Sequence, residues 1–412
     1  MQDFLRILMF IFLCYMLLLS LPKLVLSVLQ LGFLSKEAKK EPYILEQEKF
    51  LQAARYAILR EKISVLNTLL DLAFVGFWLL YGFRALENAL NFSPLVESVV
   101  FVLCFLVAQF LVALPLGAYQ TLVIDREFGF ARGGVKLFIM DTLKSFSLLL
   151  IFGGILIFAF SWIILSVANW EIYAFVLGAV LIISLNVLYP TIIAPLFNKF
   201  SPLENMELKE AINALLVRVG FKSEGVFVMD ASKRDGRLNA YFAGLGRAKR
   251  VILFDTLLDK ISSESLLAVL GHELGHFKHN DIYKMIALIL MFFATLMFFV
   301  ANMPEALFAS VNLESSPQAS LVFLLILSAP FGFYFMLVVN FLSCQNEFNA
   351  DKFGASLTSN EALANALIVL VKENNSFPLA HPLYMRFYYS HPPLMARLIA
   401  LGCERLGKNG IA

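Results

Sequence analysis

The sequence predicts a mainly α-helical, polytopic membrane protein with seven transmembrane helices and a small α+β unit that the last two helices divide. Hydrophobic residues make up 59% of the 412 positions and charged residues only 16%. The mean hydropathy of +0.76 lies far outside the range of an ordinary soluble domain. Polar residues are concentrated in two long segments after residue 197, which are 198–284 and 344–412.

Seven apolar stretches are each long enough, at about 20 residues, to cross a hydrocarbon core. The first exceeds the core of a signal peptide and has no clear cleavage site after it, so we expect it to be retained. The predicted spans are 4–31, 65–84, 97–124, 147–168, 171–197, 285–303 and 319–343. The chain thus divides into five helices in 1–197, a polar part in 198–284, two helices in 285–343, and a second polar part in 344–412.

Basic residues predict the orientation of these spans. The segments 32–64, 125–146, 198–284 and 344–412 hold all but three of the 33 Lys and Arg residues. The intervening segments 85–96, 169–170 and 304–318 hold none of them. By the positive-inside rule, both polar segments and the C-terminus face the cytoplasm.

Composition also excludes several classes of partner and site. A net charge of +2, without a basic run interleaved with aromatic residues, argues against nucleic-acid binding. Cys14, Cys104, Cys344 and Cys403 show no paired spacing, so we expect neither a disulfide nor a cysteine metal cluster. We expect a monomer in the lipid bilayer.

The segment 198–284 has the pattern of a small α+β unit. An amphipathic helix is predicted over 204–219, and short strands are predicted over 225–229, 239–242 and 250–254. Ser262 and Ser263 can cap a following helix with Glu264 in its first turn. The buried surface of that helix would come from Leu266, Val269, Leu270, Leu274 and Phe277.

That predicted helix contains the pentapeptide His272-Glu273-Leu274-Gly275-His276. Two histidines four residues apart lie on one helical face, where both imidazoles can bind one metal ion. Glu273 lies on the flank of that face and can act as general base toward a water at the metal. The pentapeptide is typical of a zinc peptidase, and the alternative is a pair of surface histidines without a metal.

A catalytic zinc site usually has three protein ligands, so a third must come from elsewhere. The predicted topology places Glu305 and Glu314 on the far side of the membrane, which leaves Asp281 and the C-terminal acids. A metzincin pattern is excluded, because His279 and Ile282 stand where that pattern requires glycine and histidine. Glu347 and Asp351 share a helical face, so Glu347 could bind zinc while Asp351 orients a histidine. An exposed acidic helix turn explains their spacing equally well.

These motifs together resemble the CAAX prenyl protease 1 family, the type I CAAX endopeptidases. The resemblance rests on the pentapeptide, on Glu347 with Ala350-Asp351, and on several other matches, from Tyr119 onward. Those matches are Tyr119, Glu127-Phe128-Gly129-Phe130, Asp141, Asn239-Ala240-Tyr241-Phe242, His391-Pro392 and Arg397-Leu398.

The resemblance implies seven helices around a chamber, closed on the cytoplasmic side by a zinc-metalloprotease unit of the gluzincin type. It implies one Zn²⁺ held by His272, His276 and Glu347, with Glu273 as general base and Asp351 beside the ligands. His391 and Arg397 would stabilise the oxyanion of the tetrahedral intermediate. Asn239 and Ala240 would lie on an edge strand that pairs with the substrate backbone. From the residues alone, His391 is equally a loop residue and Arg397 a solvated charge.

The leading hypothesis is therefore a membrane zinc endopeptidase, with CAAX-type processing of a lipidated or unlipidated peptide implied by the resemblance. A quality-control protease of the heat-shock type shares the zinc motif, but those chains have fewer spans. A membrane protein with a vestigial zinc site is a further alternative, which the intact Glu273 weakens. The chain length and the terminal Gly410-Ile411-Ala412, without a retention signal, favour a bacterial inner membrane over the endoplasmic reticulum.

Overall fold

The structure, a computed structural model, describes residues 2–244, 249–311 and 313–409. Within them, seven helices are long and apolar enough to cross a membrane, as the sequence predicts. The terminal Gly410-Ile411-Ala412, on which the expected location partly rested, lies outside the described residues. The membrane helices are α1 (Arg6–Glu37), α2 (Gln47–Ala89), α3 (Pro94–Asp125), α4 (Val135–Ser166), α5 (Trp170–Phe197), α9 (Asp281–Ala301) and α11 (Pro317–Leu357).

Several membrane helices pack on one another through large apolar side chains, while others turn theirs outward. Phe83, Phe101 and Phe323 are almost fully buried between α2, α3 and α11. A buried hydrogen bond from the Ser98 hydroxyl to Gln318 Oε1 (2.7 Å) also joins α3 to α11. Such polar contacts stabilise helix pairs in a medium that offers no water. Outward-facing residues such as Ile151 and Ile155 of α4 suit contact with lipid.

A four-stranded sheet forms in the first polar segment. Its strands are β1 (Phe200–Pro202), β2 (Val226–Met229), β3 (Ala240–Ala243) and β4 (Arg250–Phe254), in the order β1-β2-β4-β3. β2 and β4 are parallel, whereas the β1–β2 and β3–β4 pairs are antiparallel. The three predicted strands are confirmed to within a residue. The short β1 was not predicted, and β3 lies at an edge.

Helices pack against this sheet and complete the unit. The predicted helix over 204–219 is confirmed as α6 (Met206–Arg218), which Asn205 caps by accepting a hydrogen bond from Leu208 N–H (3.0 Å). Ser262 caps α8 (Ser263–Lys278), as expected, by accepting one from Ser265 N–H (3.2 Å). The other helices of the two polar segments are α7 (Asp255–Leu258), α12 (Asn360–Glu373), α13 (Pro382–Tyr388), α14 (Leu394–Ala400) and α15 (Glu404–Asn409). The short helix α10 (Glu305–Ser310) instead lies between the membrane helices α9 and α11.

Two helices that approach unusually closely bring the two polar segments together. A β-carbon built on Gly275 of α8 would lie 2.7 Å from the α-carbon of Ala350 on α11. One built on Gly354 of α11 would lie 2.6 Å from the amide nitrogen of His272. Both distances are shorter than real β-carbon contacts, so glycine is required at both positions. This crossing places Glu347 opposite His272.

A sharp turn joins α8 directly to the membrane helix α9. Asn280 adopts the left-handed conformation, with φ of 58°. Asparagine tolerates this region better than most residues because its short side chain bonds locally. The turn lets α9 begin at Asp281, five residues after His276.

Candidate active site

The side chains of His272, His276 and Glu347 converge at the crossing of α8 and α11. The two Nε2 atoms lie 3.3 Å apart. Glu347 Oε1 lies 3.2 Å from His276 Nε2, and Glu347 Oε2 lies 3.6 Å from His272 Nε2. His272 and Glu347 are buried, whereas His276 is partly exposed.

These separations fit a zinc ion. Zinc–ligand bonds of about 2.0–2.1 Å at tetrahedral angles require donor atoms about 3.3 Å apart. The three measured distances lie close to that value. In addition, Glu347 Oε2 is buried, and although nitrogens of His391 and Arg397 lie nearby, neither forms a well-directed hydrogen bond with it. Two imidazoles and a carboxylate are also the ligand types that zinc takes in hydrolytic enzymes.

A buried carboxylate and an arginine hold the ring of His272. With Nε2 turned toward the ligand cluster, Nδ1 donates to Asp351 Oδ1 at 2.8 Å. Arg397 binds the same carboxylate twice, from Nε to Oδ2 at 2.7 Å and from Nη2 to Oδ1 at 2.5 Å. Burial opposes the charge of Arg397, but the hydrogen bonds with Asp351 raise its pKa. The chain His272–Asp351–Arg397 fixes the tautomer and the aim of the ligand.

A second carboxylate, that of Asp281, orients His276, although the sequence indicated Asp281 only as a possible metal ligand. Asp281, at the first turn of α9, lies 3.0 Å through Oδ2 from His276 Nδ1. Its other oxygen accepts from the Lys284 ammonium at 2.9 Å. Asp281 is therefore turned to the ring nitrogen opposite the ligand cluster. The only signal in the sequence was its position five residues after His276, directly after the metal-binding helix.

Glu273 borders a cavity of about 500 Å³ beside the ligand cluster. Burial raises the pKa of its carboxyl above the usual value. A carboxylate whose pKa is raised is a stronger base, which suits a group that must accept a proton from water. The cavity is also lined by Asn239, Ala240, His272, Glu347, His391 and Arg397. Seven of the nine residues that the sequence predicted for the site thus line one cavity. The other two, His276 and Asp351, contact the lining residues Glu347 and His272 respectively.

His391 and Arg397 differ in their access to that cavity. His391 lies in the loop between α13 and α14 and is 63% exposed, with Nδ1 2.8 Å from Glu347 Oε2. Arg397 is 10% exposed, and its Nη1 lies 3.3 Å from the same oxygen. Its remaining donors face Asp351. The structure thus places Arg397 mainly among the carboxylates that surround the ligands.

Ala240 begins β3, and Asn239 precedes it directly. Because β3 is the last strand in the sheet order, its outer side has no strand neighbour among the described residues. Both residues line the cavity that contains Glu273. An extended peptide in the cavity can therefore pair with this edge and lie close to the ligand cluster.

Two family models match the sequence over adjoining ranges. Residues 202–404 match peptidase family M48. Residues 35–199 match the model described as CAAX prenyl protease N-terminal, five membrane helices. The first match contains the ligand cluster and the strands β2, β3 and β4, and the second contains α2 to α5.

Named relatives and a solved structure are similar over most of the chain. The sequence is 32% identical to CAAX prenyl protease 1 of Saccharomyces cerevisiae, over 89% of each chain. It is 33% identical to the CAAX prenyl protease 1 homolog of Homo sapiens, over 76% of this chain and 75% of that protein. The crystal structure of S. mikatae Ste24p superposes with a TM-score of 0.85 and 28% identity, covering 94% of this chain and 99% of that one.

Proposed function

The chain belongs to the CAAX prenyl protease 1 family of membrane zinc metalloendopeptidases, and we propose that it removes the C-terminal tail of CAAX-type substrates. The observation that carries this proposal is the triangle of His272, His276 and Glu347 beside the cavity of Glu273. An edge strand that can bind an extended peptide lines the same cavity. We propose one zinc ion per chain.

The residues of the site have separate roles in peptide hydrolysis. Zinc, when bound, polarises the scissile carbonyl and makes the attacking water more acidic. Glu273 accepts the proton of that water and then delivers it to the leaving amine. His272, His276 and Glu347 hold the metal, and Asp351 and Asp281 keep the two imidazoles in position.

We propose that His391 donates a hydrogen bond to the oxygen on which negative charge develops. Its ring is exposed to the cavity, and Pro392 and Pro393 restrict the loop that carries it. For Arg397 we propose no direct hydrogen bond to the oxyanion, because its N–H donors already face Asp351 and Glu347. Its positive charge offsets those carboxylates and supports the oxyanion at longer range.

Asn239 and Ala240 are proposed to bind the substrate backbone. At the other end of β3, a cavity of about 440 Å³ lies between the sheet and two membrane helices. Its lining includes Tyr189 and Pro190 of α5, Phe242 of β3 and Ile282 of α9. An apolar group attached upstream of the scissile bond could enter this cavity, which supports a lipidated substrate.

The protein is an integral multi-pass membrane protein, and we propose that its active site faces the cytoplasm. The basic segments that carry the ligands support this orientation. We propose a bacterial inner membrane as the location and keep the endoplasmic reticulum as the alternative. We further propose that the chain works as a monomer, because the ligands and the general base all come from one chain.

A single assay tests the proposed function. Purified protein would receive a peptide ending in a prenylated Cys-a-a-X sequence and the same peptide without the lipid, each with and without a zinc chelator. We expect chelator-sensitive release of the tripeptide and faster cleavage of the lipidated peptide. Cleavage only of unfolded membrane proteins would instead support the heat-shock type of protease. Bound zinc without any cleavage would support a vestigial site.

A further inference from the structure

The outer edge of β3 presents its backbone groups at alternate residues. Asn239 C=O accepts a hydrogen bond from Phe254 N–H at 3.1 Å, so Asn239 turns its polar groups toward β4. In an antiparallel ladder, successive residues turn these groups to opposite sides. Leu238 and Ala240 therefore turn theirs to the outer edge, where a substrate would pair.

Asn374 already occupies the outer edge at Leu238. Leu238 N–H donates to Asn374 Oδ1 at 2.8 Å, and Asn374 Nδ2 donates to Leu238 C=O at 3.1 Å. These are the two hydrogen bonds that the backbone of a neighbouring strand would make. Asn374 follows the last residue of α12, and its own N–H donates to Leu370 C=O, so the helix end fixes it.

Ala240 is the next outward residue, and it stays open to a partner. Its N–H donates to Oδ1 of the adjacent Asn239 at 2.9 Å, a local bond that an incoming peptide can replace. A substrate strand can therefore pair at Ala240 but not at Leu238. Antiparallel pairs are more stable and more frequent than parallel ones. An antiparallel peptide would run its C-terminal end toward Leu238 and meet Asn374 there.

Beyond Asn374 the chain of the substrate would enter a second cavity of about 710 Å³. This cavity shares Asn374 and His391 with the cavity of Glu273. It is also lined by Arg60, whose guanidinium lies 5.7 Å from the ring centre of Tyr56. Arg60 is exposed and forms no ion pair among the described residues, and the neighbouring buried Glu61, which also lines this cavity, accepts from the Tyr384 hydroxyl at 2.6 Å. A cation in this position suits a terminal carboxylate.

We propose that Asn374 and Arg60 form a subsite for a short C-terminal tail: Asn374 ends the pairing edge, and Arg60 binds the free carboxylate beyond it. The proposal rests on the proposed function, and it assigns the residues that recognise the length of the substrate tail and its free carboxylate. It makes the enzyme selective for peptides that end within a few residues of the scissile bond. A longer tail, or one with an amidated end, would lack this fit.

The test uses purified full-length, zinc-loaded protein and three peptides with the same lipidated upstream sequence. Their tails are three residues with a free acid, three residues with an amide, and six residues with a free acid. For the wild type we expect kcat/KM to be at least about tenfold higher for the first peptide than for either of the others. Equal values for all three would overturn the subsite and leave the peptidase function standing. Cleavage of none of them would overturn both.

Single variants of Asn374 and Arg60 test the two proposed roles separately. In Asn374→Ala, the preference for three over six residues should fall by at least about threefold, because backbone groups of the longer tail can now pair with Leu238. In Arg60→Gln, the preference for the acid over the amide should fall, and Arg60→Lys should restore part of it. Lys372→Gln is the matched control at the same helix end, since its side chain pairs with Glu46 instead (3.1 Å).

A purely structural role for Asn374 makes a different prediction. It would lower the melting temperature and the activity on all three peptides while leaving their ratios unchanged, and that result would overturn the proposal. If Asn374→Ala does not fold, Asn374→Asp keeps an acceptor for Leu238 N–H but replaces the donor to Leu238 C=O with a negatively charged oxygen. An unchanged tail-length ratio in a folded Asn374→Asp protein would equally count against it.

Discussion

Gly275 and Ala350 lie so close together that a methyl group on the glycine would come within 2.7 Å of the Ala350 α-carbon. Gly275 precedes the ligand His276, and Ala350 lies one helical turn after the ligand Glu347. The distance between the two helices therefore sets the distance between the metal ligands. A small change in this contact changes the geometry of the site directly.

Gly275→Ala should separate α8 from α11 and weaken zinc binding. Donor atoms that now lie 3.2–3.6 Å apart would no longer meet at one ion. We expect at least a tenfold loss of zinc affinity, measured by competition with a chromogenic chelator. Gly332→Ala, on the facing helix α11, is the control, because its added methyl would find only ordinary contact, 3.7 Å from Phe292. Equal zinc affinity in both variants would contradict the helix-spacing argument.

Asp281→Asn should lower zinc affinity without removing a ligand. Loss of the negative charge weakens the orientation of the His276 ring, and changes in such outer partners typically cost about 10- to 100-fold in metal affinity. Chelator competition measures the effect independently of turnover. Lys284→Met is the comparison, since it removes the exposed partner of Asp281 and leaves the bond to His276. An affinity lowered only in Lys284→Met would assign the role of Asp281 to its ion pair.

Glu273→Gln should abolish peptide cleavage and keep the zinc. Glutamine has nearly the same shape but cannot accept the proton of the attacking water, and general-base catalysis contributes about 10²- to 10⁴-fold. Metal analysis of the purified variant should give the wild-type zinc content, while a quenched-peptide assay should show the loss in kcat. Full turnover by this variant would falsify the assignment of the base.

The metal-free protein should lose stability as the pH rises through about 9. Burial of His276 favours its neutral form, but hydrogen bonds with Glu347 and Asp281 outweigh it and raise the pKa to about 9 from 6.5. The stabilising contribution of this raised pKa is therefore complete below about pH 6.5 and is lost above pH 9. Zinc must displace the same proton. Melting curves in detergent should thus show a pH dependence over this range that zinc loading removes. If the melting temperature changed with pH in the same way with and without zinc, the raised pKa of His276 would be contradicted.

Most of the architecture could be predicted from the sequence because it depends on local patterns. Long apolar stretches reveal the spans, and alternating residues reveal strands such as Arg250–Phe254. The pentapeptide and its resemblance to a known family indicated a zinc site, and the three proposed ligands do lie together. The roles proposed for the individual side chains remain predictions until variants are measured.

What could not be predicted depends on contacts between distant segments. The strand β1 has only three residues, ends in proline and forms solely because β2 lies beside it. The two hydrogen bonds of Asn374 with Leu238 join residues 136 positions apart. Arg397 reads in the sequence as a solvated charge, yet Asp351 binds it in the interior. No period or spacing signals such partners in advance.

The single helix α11 carries both a membrane span and the ligand Glu347. Its 41 residues extend about 62 Å, roughly twice the hydrocarbon thickness of a bilayer. A helix whose apolar part is longer than the local bilayer is thick tilts to adapt. Glu347 lies beyond the apolar part of α11, so a tilt of α11 moves Glu347 sideways. His272 does not follow this movement, because α8 holds it in the α+β unit. We therefore expect bilayer thickness to influence the geometry of the metal site.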